Sequence, residues 1–309
     1  MSMLFRTSRS IFAAAVLAVA ALSSGMAAAA DLVVKHKQGE LTLSETPKKV
    51  LVFDLASLDT LNALGVEVAG VTSGVKPEYL KAYNDDKYVK IGTLFEPDYE
   101  AVNAAEPDLI IVGGRSAAKY GELAKIAPTI DMSTDAKNFY GDAVEHVKTL
   151  AALFGKQAEG DAMIAKLESS VADVKALAEG KGKGLLVLTT GGKMSAFGPG
   201  TRFGMIHSLY GVAPAAETTQ VGSHGQAISF EYILETDPDW LFVLDRDAAI
   251  GREGTSAQQY LDNDVVGKTK AWKNGHVVYL DAANWYLVGA GITAMQATAD
   301  QLKEAFSKG

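Results

Sequence analysis

Cysteine is absent from all 309 residues. The chain therefore makes no disulfides and has no lipid-anchoring N-terminal cysteine of the kind that tethers an exported protein to a membrane. Long apolar runs are also scarce: beyond the first thirty residues no stretch approaches the ~20 apolar residues that a membrane span needs. Basic runs are missing, and 29 Lys and Arg against 37 Asp and Glu leave a formal net charge of -8. Such a chain is a poor candidate for nucleic acid. No G-x-S-x-G elbow occurs and no Ser, His and Asp set stands out at strand ends, which argues against an exported hydrolase and for a protein that is not an enzyme. The Gly-rich "SAFGPGTRFG" lacks the Lys-Ser/Thr ending of a nucleotide loop, and no closely spaced His, Asp or Glu forms a dedicated metal motif.

Residues 1–30 read as a cleaved signal peptide. Arg6 and Arg9 precede the apolar "IFAAAVLAVAAL", and the small residues of "GMAAAA" follow it before Asp31. Removing this leader takes two arginines and no acid, which moves the formal charge from -8 to -10. The expected product is a free, soluble, periplasmic protein. Its length of about 280 residues is more than one core usually serves. The pattern divides it into an N-terminal α/β lobe at 31–155, an interlobe backbone helix at 156–180 and a C-terminal α/β lobe at 181–309.

Apolar runs such as "KKVLVFDL", "DLIIVGG", "GKGLLVLTTGG" and "DWLFVLD" alternate with helical stretches such as "ASLDTLNALG", "RFGMIHSLYG" and "ITAMQATADQLKEAFSK". That alternation implies βαβ units, so the fold class is α/β: two Rossmann-like lobes with mostly parallel sheets, joined by a long backbone helix, with a ligand cleft between them. The helix is expected at about Gln157 to Ala178. Its stripe of Met163, Ile164, Leu167, Val171, Val174 and Leu177 reads as core, and its length is roughly 33 Å.

One phrase occurs twice. "YEAVNAAEPDLIIVGGR" and "FEYILETDPDWLFVLDR" align Glu100 with Glu231, Pro107-Asp108 with Pro238-Asp239, and Arg115 with Arg246. Both arginines follow a strand, and ligands of open parallel sheets bind outside the strands' carboxyl ends. With Arg202 in the Gly-rich loop they predict an anionic ligand. The matched glutamates each open a helix, where a carboxylate suits the dipole; a pair of them also suits docking on a two-fold symmetric partner, and both readings stand at this level. Of five histidines only His224, in "TTQVGSHGQAIS", lies in a polar loop with no core face to serve. Trp285 and Tyr286, in "NWYLVGAG", follow the last strand, either at the cleft or as an anchor for the turn. Asp54 is the best isolated acid, and a helix-capping role accounts for it.

The order of "KKVLVFD", "EPDYEAVNAAEPDLIIVGGR", "GPGTRFG", "HGQAISFEYILETDPDWLFVLDR" and "NWYLVGAG" resembles the helical-backbone periplasmic binding proteins of iron uptake, most closely those for ferric catecholate siderophores. The resemblance spans essentially the whole chain after the leader. It implies that Arg115, Arg202 and Arg246 face the catecholate oxygens. It also implies that His224 and Tyr286 complete the iron shell of a tetradentate siderophore, and that Glu100 and Glu231 dock on the permease dimer of an inner-membrane ABC importer. The cargo is then the ferric siderophore, with no permanent cofactor and a monomeric receptor. Capture of haem, cobalamin or another anionic iron chelate is the alternative within the class. The chemistry is coherent: ferric ion prefers oxygen donors and deprotonates the phenol that binds it.

Overall fold

The computed structural model describes residues 31–217 and 225–309; the expected leader and His224 lie outside the described residues. The chain opens with a hairpin, β1 (Leu32–His36) antiparallel to β2 (Gly39–Leu43). This hairpin was not expected from the pattern of alternating strands and helices.

β3 (Val50–Val52), β4 (Gly70–Val71), β5 (Val89–Lys90), β6 (Leu109–Val112) and β7 (Thr129–Asp131) then form an all-parallel sheet in the order β5-β4-β3-β6-β7. β3 and β6 are apolar throughout because both faces are buried, at 0–1% exposure. The strand order reverses between them, so the carboxyl ends of β3 and β6 flank a crevice.

The second sheet comprises β8 (Lys183–Thr190), β9 (Lys193–Phe197), β10 (Ala213–Pro214), β11 (Gln226–Ile228), β12 (Trp240–Asp245) and β13 (Val277–Tyr279). Its order is β11-β9-β8-β12-β13, with β10 also on β8. β10, β8, β12 and β13 pair in parallel as expected, and β9 is the exception, running antiparallel to both β8 and β11. The cause is Gly191-Gly192, both at positive φ (53° and 71°), which make the two-residue turn that folds β9 back on β8. The helix expected over "RFGMIHSLYG" also contracts, to Met205–Ser208.

The duplicated phrase performs one structural task twice. Glu106 and Asp237 are the positive-φ residues other than glycine among those described, at 47° and 42°, and each ends a helix just before a proline. The next aspartate clamps the start of the neighbouring strand: Asp108 accepts from the Lys48 and Lys49 amides, both at 2.9 Å, and Asp239 from the Lys183 amide at 2.8 Å. Helix, left-handed cap, proline and clamp together set the starts of β6 and β12 in the same way.

Helix Gln157–Ala178 covers the expected span and buries Ile164, Leu167, Val171 and Val174. It packs on helix Phe139–Leu153 and on the closing helix Ile292–Lys308. The closing helix is tied to the first half by a residue far away in sequence. Asp59, on helix Leu55–Ala63, is fully buried and accepts from the Thr293 and Ala294 amides at 2.8 and 3.0 Å, and from the Tyr79 hydroxyl at 2.6 Å. Gly291 is required there, because a Cβ would lie 2.5 Å from the Asp59 carboxyl carbon.

Candidate functional site

The segment after β13 is a single π-helical turn, Asn284–Val288, where a loop was expected. Its wide i→i+5 closure is the Gly289 amide donating to the Asn284 carbonyl at 2.7 Å. This geometry leaves the Tyr286 and Leu287 carbonyls for other donors, and arginines from both sheets take them. Arg115 Nη2 donates to the Tyr286 carbonyl at 2.5 Å and its Nη1 to that of Leu287 at 3.2 Å. Arg202 Nη2 reaches the Tyr286 carbonyl at 3.0 Å, and Arg246 Nε donates to the Tyr286 phenol oxygen at 2.8 Å. The three guanidiniums lie 5.3, 4.5 and 5.5 Å from the Tyr286 ring centroid, within cation–π range.

Each arginine is aimed by local structure. Arg115 follows β6 on a Gly113-Gly114 turn, whose Gly114 amide donates to Ser133 Oγ at 2.9 Å. Arg202 stands on a loop closed by Thr201 Oγ1 donating to the Gly198 carbonyl at 2.6 Å. Arg246 follows β12 and donates to Thr190 Oγ1 at 3.2 Å; that hydroxyl in turn donates to Asp247 at 3.0 Å.

Burial and mutual repulsion both act on the arginines. Burial, then the neighbouring Arg202 charge, lowers the Arg115 pKa, and burial lowers that of Arg202. Tyr286 also sits below the ordinary tyrosine value. Burial pushes it up, but the Arg246 hydrogen bond and the charges of Arg202 and Arg246 outweigh that push.

Arg115, Arg202 and Tyr286 border a cavity of about 680 Å³, together with Asp54, Phe95 and Phe203, and Arg246 reaches it through the Tyr286 phenol oxygen. Trp285 contributes the floor of the cavity: at 2% exposure it belongs to the core, and neighbouring positions on the turn send its ring inward and Tyr286 outward. Glu100 and Glu231 lie apart from the cavity, exposed in the first turns of helices Tyr99–Ala104 and Phe230–Thr236. Among the described residues no cluster of three His, Cys, Asp or Glu could hold a metal ion. Sequence reasoning missed Thr190, Phe203 and the two backbone carbonyls. Of these only Phe203, beside Arg202, carries a local signal.

A model of the family described as periplasmic binding protein matches residues 50–283. The chain belongs to this family. Its members are binding proteins of transport systems rather than enzymes, and so is this chain. The chain is 43% identical to the petrobactin-binding protein YclQ of Bacillus subtilis over 283 residues, covering 90% of this chain and 89% of that one. The crystal structure of YclQ superposes with a TM-score of 0.87 over 90% of this chain and 99% of the other. The ferric-anguibactin-binding protein FatB of Vibrio anguillarum is 33% identical, over 89% and 87% of the two chains. The periplasmic catecholate-siderophore binding protein VctP of Vibrio cholerae superposes with a TM-score of 0.84 at 32% identity, over 90% of this chain and all of that one. The mixed α/β fold with its long helix is the fold of these relatives. No helix among the described residues is long and apolar enough to cross a membrane.

Proposed function

We propose that this protein captures a ferric catecholate siderophore in the cavity bordered by Arg115, Arg202 and Tyr286, with Arg246 behind the Tyr286 phenol, and delivers it to an inner-membrane ABC importer. The observation that carries this reading is the convergence of three guanidiniums on one tyrosine whose pKa is already depressed. An anionic chelate brings negative charge to the arginines, and iron supplies the Lewis acid that takes the phenolate. The relatives named for petrobactin, ferric anguibactin and catecholate siderophores support the same ligand class.

A tetradentate siderophore leaves two positions open on ferric ion. Tyr286 fills one and His224 the other in this reading. Gly225, the neighbour of His224 in sequence, packs against Phe197, which is linked through Phe203 to the Tyr286 ring by centroid separations of 4.9 and 6.2 Å. The iron is cargo and the protein has no resident cofactor. Residues 1–30 are the leader, and the mature monomer has lobes at 31–155 and 181–309 joined by the helix segment 156–180.

The deciding experiment is a tryptophan-fluorescence and absorbance titration of the mature protein with a ferric bis-catecholate, a ferric tris-catecholate and cobalamin. Strong quenching with a shifted charge-transfer band for the bis-catecholate is expected. Absence of any response to both ferric complexes would overturn the reading.

Glu100 and Glu231 are the permease contacts in this proposal. Both stand exposed at matched helix starts, outside the cavity. Glu100→Ala and Glu231→Ala leave ferric-siderophore affinity within about twofold, and each lowers uptake into cells about tenfold or more, as one rim charge of an interface can. Weakened ligand binding in either variant would remove them from the docking role.

A further inference from the structure

The cavity has a second electrostatic pole that anion capture does not explain. Asp54 follows β3, and Arg115 follows β6, the adjacent strand across the point where the sheet order reverses. At the equivalent end of the second sheet Arg246 donates to Thr190, the last residue of β8, and the nearby carboxylate, Asp247, is already occupied by the Thr190 hydroxyl and the Gly191 amide. A carboxylate at the corresponding place in the first sheet weakens the field of the very arginines that draw an anion in. Capping explains only half of it. Asp54 Oδ2 accepts from both the Ser57 amide and the Ser57 hydroxyl, each at 2.8 Å, whereas Oδ1 has no hydrogen bond among the described residues. Asparagine or serine would cap the helix equally well without the charge. No lysine, arginine or histidine forms an ion pair with Asp54 among the described residues, and burial raises its pKa against the opposing Ser57 hydrogen bonds and the influence of His146 and Arg115, so a cation at Oδ1 would offset the cost of burying the charge. Gly113 makes room for the group, since a Cβ there would lie 2.8 Å from the Asp54 carboxyl carbon.

Resting on the catecholate reading of the cavity, we propose that Asp54 selects siderophores carrying a protonated amine in their backbone or linker. Its free Oδ1 receives the ammonium while the arginines face the iron-chelating head. The cleft is then bipolar, and Asp54 sets specificity within the catecholate class instead of adding general affinity.

The test uses two ferric bis-catecholates with linkers of equal length, one with a secondary amine and one with a methylene in its place, titrated into the wild-type protein and Asp54→Asn. Asparagine keeps the Ser57 cap, and a thermal melt of each protein checks that both are folded. The wild type is expected to prefer the amine-bearing complex about tenfold, as a partly desolvated ion pair allows. In Asp54→Asn the amine complex weakens about tenfold, and the neutral-linker complex holds or tightens, because a negative charge has left an anion site. Only the amine-bearing ligand thus weakens, which a merely structural role would not produce. An unchanged preference in Asp54→Asn, or equal losses for both ligands, overturns this inference alone. Failure of the wild type to bind either complex overturns it together with the catecholate reading.

Discussion

Asp59→Ala lowers the free energy of unfolding by about 3 kcal/mol, read from urea unfolding at pH 7 with an unchanged denaturant slope. The substitution strands three buried donors, the Thr293 and Ala294 amides and the Tyr79 hydroxyl. Each buried donor left unpaired costs about 1–3 kcal/mol, and loss of a helix N-cap alone costs about 1. Gly291 has no side chain to take over the cap. A loss below about 1 kcal/mol would show that water enters and pairs these groups. The pH dependence has a definite sign. Burial raises the Asp59 pKa from 3.8 to about 6, against the opposing effect of its hydrogen bonds. Between those values the folded protein holds a proton that the unfolded chain releases. The stability this linkage contributes is complete below about pH 3.8 and is lost as pH rises through 6. The shift corresponds to about 3 kcal/mol at most. Asp59→Asn cannot titrate, so its stability relative to wild type should rise across that window. A difference between the two proteins that stays flat from pH 4 to 7 would refute the raised pKa.

The same carboxylate shows where the sequence stops being legible. Asp59 lies 234 residues before its partner Thr293, and nothing local in "ASLDTLNALG" distinguishes a transverse cap from an exposed helix acid. By contrast, helices Gln157–Ala178 and Ile292–Lys308 were legible, because apolar periodicity and the flanking glycines, Gly155 and Gly291, are local signals. The arginines after β6 and β12 were legible because the Pro-Asp phrase repeats and places both at strand ends. The engagement of Arg115 and Arg202 with the Tyr286 and Leu287 carbonyls was not, since it depends on a π-turn that no residue type announces. Gly191-Gly192 was a readable hairpin signal that the expectation of βαβ alternation obscured. The matched αL residues Glu106 and Asp237 give the duplicated phrase a backbone cause, a cap and clamp that set the strand starts and thereby the positions of Arg115 and Arg246.

Tyr286→Phe separates the roles that meet in this residue. Phenylalanine keeps the ring beneath the three guanidiniums, and the backbone carbonyl that Arg115 and Arg202 use is untouched, so the scaffold of the site survives. What disappears is the phenol oxygen, now 2.8 Å from Arg246 Nε. If that oxygen enters the iron shell, a ferric bis-catecholate loses one of six donors and its affinity falls about a hundredfold, on the order of 3 kcal/mol. Its protein-dependent charge-transfer band disappears as well. A ferric tris-catecholate, already saturated with six oxygens, changes by less than about threefold, because it meets the arginines alone. The depressed Tyr286 pKa adds a second readout: with less of the phenol to deprotonate as pH rises, wild-type binding of the bis-catecholate strengthens with pH, and the variant loses that part of the dependence. Equal losses for the two complexes would mean that Tyr286 serves only as the platform on which the arginines are assembled, and the ligand's own oxygens would then have to satisfy the iron.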